Sequence, residues 1–260
     1  MNAEKRQKLE EMKATCYPPE KLARLIAVEM HVYKPVSFLF TRLLVRTNIT
    51  PNQLTWFWGL LLVFASLLFL IDCPWLWVFA SILWVLGLAL DYTDGDIARC
   101  KNKFSKRGAF LDLVIHSVTF PMFFICIGLG VYYQYGNVMS VVLGTIAGIS
   151  MVLIMYIPRL YNWVDPQNAI QGIGRSQNVE GKFFKNPKTY KLISACNPLT
   201  FANLFIITIA LTIVNVFFTS KIDFFGWFEI SLFGAFLLFY ATGYAAVTLL
   251  RIALMYRKLT

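Results

Sequence analysis

The sequence predicts an all-α integral membrane protein, in which six transmembrane helices follow an interfacial amphipathic helix and both termini are cytoplasmic. The prediction comes from the apolar composition, six long apolar stretches and a one-sided distribution of positive charge. Of the 260 residues, 58% are hydrophobic and only 15% are charged, whereas a soluble domain has about 25% charged residues. A soluble fold of this composition would expose large apolar patches and aggregate.

The six apolar stretches are long enough, or nearly long enough, to cross a hydrocarbon core about 30 Å thick. They cover residues 53–72, 75–92, 110–133, 137–158, 199–219 and 226–250. Pro121 lies inside the third stretch, where a proline can kink a helix.

Positive charge lies almost entirely on one side of these spans. Of the 24 Lys and Arg residues, all but Lys221 fall in the N-terminal segment, the 93–109 and 159–198 connections or the C-terminal tail. By the positive-inside rule that side is cytoplasmic. This makes the chain a multi-pass membrane protein, in the inner membrane if it is bacterial. The same distribution argues against nucleic acid as a partner, despite the net charge of +10.

The chain divides into a cytoplasmic N-terminal segment, residues 1–50, and a six-helix transmembrane domain, residues 51–260. Apolar and basic residues recur at helical spacing before the first span, which predicts a helix lying in the membrane interface. These residues are Phe38, Leu39, Arg42, Leu43, Leu44 and Arg46. For residues 1–18 a solvated basic tail is the alternative.

Ionisable residues cluster where the second span ends and the third begins. Asp91 and Asp94 are spaced i,i+3, and Asp112 and His116 are spaced i,i+4, so each pair shares one helix face. Because the two helices run antiparallel, all four side chains can meet just below the cytoplasmic surface. Ionisable groups in membrane segments usually mark functional sites. Carboxylates this close repel one another unless a cation neutralises them, so we expect a divalent-metal site.

Small residues and one arginine accompany this cluster. Gly95, Ala98 and Gly108 would let a ligand or a neighbouring helix approach the backbone closely, and plain helix packing is the alternative. Arg99 offers a planar fork of donors suited to a phosphate.

A solvated, capped helix end is the alternative interpretation of the aspartates. It fits Asp96 and could extend to Asp94. It does not fit Asp112, which lies within an apolar helix.

The residues from Asp91 onward resemble the CDP-alcohol phosphotransferase family. Its pattern, D-x2-D-G-x2-A-R-x8-G-x3-D-x3-D, is matched at every specified position from Asp91 to Asp112. The segment ITPNQLT at residues 49–55, the six predicted spans and the leading interfacial helix also resemble that family. The last motif position, an aspartate in the family, is His116 here.

The resemblance implies a transferase with two divalent ions, usually Mg²⁺ with Mn²⁺ as a further option, held on the motif aspartates. A CDP-linked donor would bind through its diphosphate, an acceptor hydroxyl would attack the β-phosphorus, and CMP would leave. The implied metal ligands are Asp91, Asp94, Asp112 and His116, with Asp112 and His116 catalytic. The implied CDP- or phosphate-binding residues are Asn52, Thr55, Gly95, Ala98, Arg99 and Gly108.

The resemblance assigns position 116 to deprotonating the acceptor and to metal binding. A neutral imidazole can do both. It also removes one negative charge, and it would favour Mn²⁺ or Zn²⁺ more than a fourth carboxylate would. The alternatives are a family member with diverged chemistry and an inactive relative that binds CDP-alcohol.

A site at the membrane surface favours at least one lipid substrate, and therefore a role in phospholipid or related polar-lipid synthesis. The basic 159–198 connection would suit an anionic alcohol acceptor, and positive-inside bias with attraction to anionic lipid headgroups is the alternative explanation. The resemblance also implies a homodimer.

Two other classes of membrane protein are alternatives to the phosphotransferase. A UbiA-type prenyltransferase would need a second Asp-rich motif and more spans, and a small transporter would usually place its site at the membrane midplane.

Overall fold

The computed structural model describes residues 25–165, 197–217, 222–224 and 228–259, and these form a helical fold. A π-helical turn at Glu29–Tyr33 leads into α1. The helices are α1 (Lys34–Leu44), α2 (Pro51–Leu68), α3 (Pro74–Cys100), α4 (Lys106–Tyr135), α5 (Val138–Val164), α6 (Phe201–Phe217) and α7 (Leu232–Leu259). Two three-residue strands, β1 (Ile222–Phe224) and β2 (Phe228–Ile230), pair antiparallel between α6 and α7, with Ile222 opposite Ile230.

Five of the described helices are long and apolar enough to cross a membrane, namely α2, α3, α4, α5 and α7. The protein is therefore a multi-pass membrane protein. The fifth predicted span, residues 199–219, forms the apolar helix α6, which has only 17 residues. At 1.5 Å per residue such a helix is about 26 Å long, slightly less than a typical hydrocarbon core. The predicted all-α class is confirmed, and five of its six spans are helices of membrane-crossing length.

Side-chain caps fix where α2 and α4 begin. The Thr50 hydroxyl accepts a hydrogen bond from the Gln53 amide at 3.3 Å, and the Gln53 side chain accepts one from the Thr50 amide at 2.9 Å. Pro51 follows at the first helical position, where a missing N–H costs nothing. Ser105 caps α4 by accepting from the Gly108 amide at 2.9 Å. Both capped ends lie at the candidate site described below.

Helices α4 and α5 approach each other backbone to backbone. A Cβ on Gly144 would lie 2.5 Å from the carbonyl oxygen of Phe124, and a Cβ on Gly148 would lie 2.8 Å from the Cα of Pro121. Glycine is therefore required at both positions, as at close helix crossings in other membrane proteins. Pro121 lies inside α4, which continues through it as one helix.

Aromatic side chains fill the core between α3, α4 and α6. The Trp84 and Phe205 rings stack with centroids 4.8 Å apart and an interplanar angle of 5°, and Phe123 meets Trp84 edge to face at 4.9 Å. Such pairs stabilise a core beyond the area that they bury. The aromatic layer ends at Phe120, which contacts the candidate site, so the core holds α3 and α4 in place beneath it.

The amphipathic helix predicted before the first span is α1. Its buried residues, Lys34, Ser37 and Thr41, are polar, whereas Leu39 and Leu43 are 56% and 60% exposed. Its polar face packs on the protein together with Val36, Phe40 and Leu44, and Leu39 and Leu43 face outward, as expected for a helix at a lipid interface. The basic-tail alternative for residues 1–18 lies outside the described residues.

Candidate active site

Three of the four predicted metal ligands converge between α3 and α4. Asp91, Asp112 and His116 each offer one ligand atom, and these atoms lie within 4.8 Å of one another. The His116 Nε2 atom is 3.3 Å from Asp112 Oδ1 and 3.7 Å from Asp91 Oδ1. The i,i+4 pair on α4 thus faces Asp91 on α3, as the helical spacing predicts.

This group of side chains fits a divalent cation. Asp112 Oδ1 and His116 Nδ1 are buried without a hydrogen-bond partner in the part of the chain that the structure describes. Buried polar atoms are normally paired with a protein group, a water molecule or an ion. Two carboxylates and an imidazole are ligands that Mg²⁺ or Mn²⁺ accepts. Asp91, Asp112 and His116 could therefore hold a metal ion.

Asp94, the fourth predicted ligand, is tied to α2 instead. Its Oδ2 atom accepts a hydrogen bond from Trp58 Nε1 at 2.7 Å and lies 2.8 Å from the Thr55 hydroxyl. These two donors hold the carboxylate on the α2 side of the cluster. Four ligands were predicted to meet at one point. In the structure Asp91, Asp112 and His116 form the group, and Asp94 lies beside it.

A pocket of about 500 Å³ opens beside these carboxylates, within the size range of small-ligand sites. Its wall contains all six residues predicted to contact CDP or phosphate, together with Asp94 and Asp112. Those six are Asn52, Thr55, Gly95, Ala98, Arg99 and Gly108. Lys103, Phe104 and Lys106 line it as well, and their positions were not predicted. The residues that the sequence predicts to bind CDP or phosphate thus line one pocket.

The two motif glycines have different surroundings. A Cβ on Gly95 would meet only the Arg99 guanidinium, at 3.6 Å, among the described residues. Packing therefore does not require glycine there, and its missing side chain leaves space in the pocket. A Cβ on Gly108 would lie 2.6 Å from Asn52 Oδ1. A larger residue at position 108 would therefore displace the Asn52 side chain, which lines the pocket.

The His116 ring lies between two aromatic rings. Its centroid is 5.0 Å from that of Trp58 and 4.9 Å from that of Phe120. Trp58 is fully buried and contacts both His116 and Asp94, yet sequence reasoning missed it. The available signal was its position one helical turn after Thr55.

Asp96 is fully buried, so its interpretation as a solvated helix end is wrong. It accepts hydrogen bonds from Lys34 Nζ at 3.1 Å and from Ser37 Oγ at 2.8 Å, and it forms an ion pair with Arg99. Helix α1 covers this face of α3 and excludes water from it. Burial lowers the pKa of Lys34, while the Asp96 carboxylate acts in the opposite direction.

The 159–198 connection lies mostly outside the described residues, and with it the prediction of an anionic acceptor site. Its first residue, Arg159, is exposed near the end of α5, with its guanidinium 5.6 Å from the Tyr156 ring centroid.

Comparison with known proteins agrees with this geometry. A family model described as CDP-alcohol phosphatidyltransferase matches residues 48–254. The chain therefore belongs to the CDP-alcohol phosphatidyltransferase family. It is 34% identical over 88 residues to the bifunctional IPC transferase and DIPP synthase of Thermococcus kodakarensis. That match covers 34% of this chain and only 19% of the relative. The family match favours the transferase over the prenyltransferase and transporter alternatives.

Proposed function

We propose that this protein transfers a phospho-alcohol group from a CDP-linked donor to an acceptor hydroxyl and releases CMP, in a divalent-metal-dependent reaction. We further propose a role in phospholipid or related polar-lipid synthesis. One observation carries the proposal. All six residues expected to contact the donor line one pocket that also contains Asp94 and Asp112, next to the group formed by Asp91, Asp112 and His116.

Asp91, Asp112 and His116 would hold one divalent ion, and Asp94 would contribute to a second beside it. Mg²⁺ is the expected ion, with Mn²⁺ as the alternative that an imidazole ligand favours. When bound, such ions neutralise the charge of a diphosphate and orient it for displacement. The close approach of one ligand atom from each of Asp91, Asp112 and His116, all within 4.8 Å of one another, supports this assignment.

The pocket would bind the CDP moiety of the donor. Arg99 supplies positive charge at its wall, and Gly95 and Ala98 leave space for the nucleotide. Phosphoryl transfer depends mainly on positioning and charge stabilisation. The acceptor oxygen bonds to the β-phosphorus, and the bond between that phosphorus and the oxygen that leaves with CMP breaks.

His116 would serve either as a metal ligand or as the group that accepts the proton of the acceptor hydroxyl, because a neutral imidazole has a single free lone pair. The ligand role has the more direct support, because Nε2 faces both carboxylates at 3.3 and 3.7 Å. A proton acceptor must also lie within about 2.6–3.2 Å of the hydroxyl oxygen. Phe120 stacks on the ring and Trp58 packs against it at an interplanar angle of 36°, and these contacts restrict the orientation of the ring.

We also propose that α6 is the sixth span, that both termini are cytoplasmic and that the site opens at the cytoplasmic face. The alcohol acceptor, whether neutral or anionic, would then approach from the cytoplasm or the adjoining lipid. The homodimer implied by family resemblance stays a prediction.

A second candidate function is an inactive or diverged relative that binds CDP-alcohol without transfer. The observation that favours it is His116 itself, at a position where the family pattern has an aspartate. Its geometry beside Asp91 and Asp112 favours the active enzyme instead.

The test is CMP release by the full-length protein in lipid nanodiscs with Mg²⁺ or Mn²⁺. CDP-diacylglycerol and several polar CDP-alcohols are offered as donors, each with and without alcohol acceptors. We expect CMP release that depends on both metal and acceptor, and a fall of at least about 1,000-fold in Asp112→Asn, because the amide removes a ligand charge. The matched control, Asp72→Asn, changes an exposed aspartate remote from the site and should retain activity. CDP binding without CMP release from any pair would support the inactive relative.

A further inference from the structure

Asp96 is a buried carboxylate that the proposed reaction does not use. Its Oδ1 atom contacts Lys34 Nζ at 3.1 Å and Arg99 Nη2, and its Oδ2 atom contacts Lys34 Nζ at 3.2 Å and Ser37 Oγ at 2.8 Å. One carboxylate therefore joins the motif helix α3 to α1 and serves two cations. A buried charge is tolerated only when such partners satisfy it.

The pairing with Asp96 bears directly on the pocket. Arg99 lies one turn after Asp96 on α3 and lines the pocket, and its side chain is only 18% exposed. Its guanidinium also lies next to Gly95, 3.6 Å from where a Cβ would stand. A long arginine side chain loses rotamer freedom when it binds a phosphate, and one that is already fixed loses less.

The π-helical turn and α1 are in turn fixed to α3 by further contacts around this ion cluster. The Tyr92 hydroxyl donates to Glu29 Oε1 at 2.7 Å, and the Thr93 hydroxyl lies 3.4 Å from the Ser37 carbonyl oxygen. The face of α3 that carries Tyr92, Thr93 and Asp96 therefore packs on the N-terminal segment. The face that carries Asp94, Gly95 and Ala98 lines the pocket.

We propose that Asp96 is a positioning residue for the donor: it fixes the Arg99 guanidinium at the pocket wall, ready to contact the diphosphate. Lys34 and Ser37 of α1 hold Asp96 in place. The inference rests on the proposed function, because it takes Arg99 as a phosphate contact. It predicts that loss of Asp96 weakens donor binding through Arg99 and leaves the chemical step at saturating donor nearly unchanged.

The test is a double-mutant cycle on CDP affinity, measured calorimetrically with Mg²⁺ on full-length protein in nanodiscs. Arg99→Ala should weaken CDP binding about 10- to 100-fold, as expected for lost charge-assisted hydrogen bonds. Asp96→Asn should weaken it about 3- to 10-fold, because a mispositioned arginine still attracts phosphate. The double variant should bind CDP within about twofold of Arg99→Ala alone, since without Arg99 there is nothing to position. In turnover, Asp96→Asn should raise the donor KM and leave kcat within about twofold.

Two controls separate positioning from general loss of structure. Thr93→Val alters the same α1–α3 interface without touching Arg99 and should bind CDP within about twofold of the wild type. Because Asp96→Asn leaves Lys34 buried without its carboxylate, the paired variant Lys34→Met/Asp96→Asn removes both charges and protects folding. It should weaken CDP binding as Asp96→Asn does, and Lys34→Met alone, which keeps the Asp96–Arg99 ion pair, should weaken it less.

Two results would overturn the inference, and they are distinguishable. If Asp96→Asn and Arg99→Ala weaken CDP binding additively, or if the folded Asp96 variants bind CDP like the wild type, Asp96 has only a structural role and the proposed function stands. If Arg99→Ala itself leaves CDP affinity unchanged, the phosphate role of Arg99 is wrong and this inference falls with it.

Discussion

At the scale of single residues, the indole of Trp58 contributes both a hydrogen bond and a ring contact to the candidate site. Its Nε1 atom donates to Asp94 Oδ2 at 2.7 Å, and its ring lies beside that of His116. One side chain therefore orients a proposed ligand on α3 and contacts another on α4. Such outer contacts commonly tune metal sites.

Replacing Trp58 by Phe should keep most of the ring and remove the donor. We expect the free energy of unfolding to fall by about 1.5–3 kcal/mol more than in the control, the usual range for a hydrogen bond to a charged group, and Mn²⁺ to bind more weakly. The matched control is Trp84→Phe, since Trp84 Nε1 is buried without a hydrogen-bond partner among the described residues. Equal effects of the two variants on stability and on Mn²⁺ affinity would contradict the role given to Trp58.

His116 should set the metal preference of the proposed site. Substituting His116→Asp exchanges a neutral nitrogen ligand for a charged oxygen ligand, so activity with Mg²⁺ should rise relative to activity with Mn²⁺ by about tenfold or more. The measurement is the ratio of CMP release rates with the two ions. His116→Ala, as comparison, should lower turnover with both. An unchanged ratio in an active aspartate variant would show that position 116 does not ligate the metal.

At the scale of elements, the meeting of α3 and α4 could be predicted from spacing. The i,i+3 and i,i+4 pairs on two antiparallel helices were expected at one level, and Asp91, Asp112 and His116 do meet there. The burial of Asp96 could not be predicted, because a carboxylate at a helix end has the same sequence pattern whether water or another helix covers it. Trp58 was missed for a similar reason, since an indole in an apolar span is usually core.

Glycines on different helices should respond in opposite ways to the same substitution. Gly144→Ala would place a methyl group 2.5 Å from the Phe124 carbonyl oxygen and should lower the melting temperature by separating α4 from α5. Gly95→Ala meets only ordinary contacts, so it should keep or raise that temperature, as alanine generally does in helices. It should nevertheless weaken CDP binding by filling the pocket.

Melting curves and CDP titrations of the two variants test this contrast. The result that would count against it is a Gly95→Ala protein that melts earlier than the wild type and binds CDP normally. Glycine at position 95 would then serve helix packing, as the alternative reading of the sequence allowed.

At the scale of the whole molecule, the lengths of the apolar stretches predict the number of spans, and the distribution of positive charge predicts their direction. Sequence analysis predicted six spans, and the described chain has five helices of membrane-crossing length together with the 17-residue α6. Apolar stretches reveal where helices form but not where they end, because capping and packing decide the last turns. The orientation rests on the positive-inside rule.

Accessibility of single cysteines in a cysteine-free background would test that orientation. Asn102, between α3 and α4, should lie on the cytoplasmic side, and Val138, at the start of α5, on the opposite side. A membrane-impermeant thiol reagent should therefore label Val138→Cys in intact cells and Asn102→Cys only after permeabilisation. The reverse pattern would place the site on the outer face.

The central claim is that the group between α3 and α4 holds the metal beside a donor in the adjoining pocket. The most direct measurement is anomalous X-ray diffraction from crystals of the full-length protein grown with Mn²⁺ and CDP. The account predicts a manganese peak bounded by Asp91, Asp112 and His116, with CDP density along Gly95, Ala98 and Arg99. CDP bound elsewhere, or bound in this pocket with no manganese at the three ligands, would contradict it.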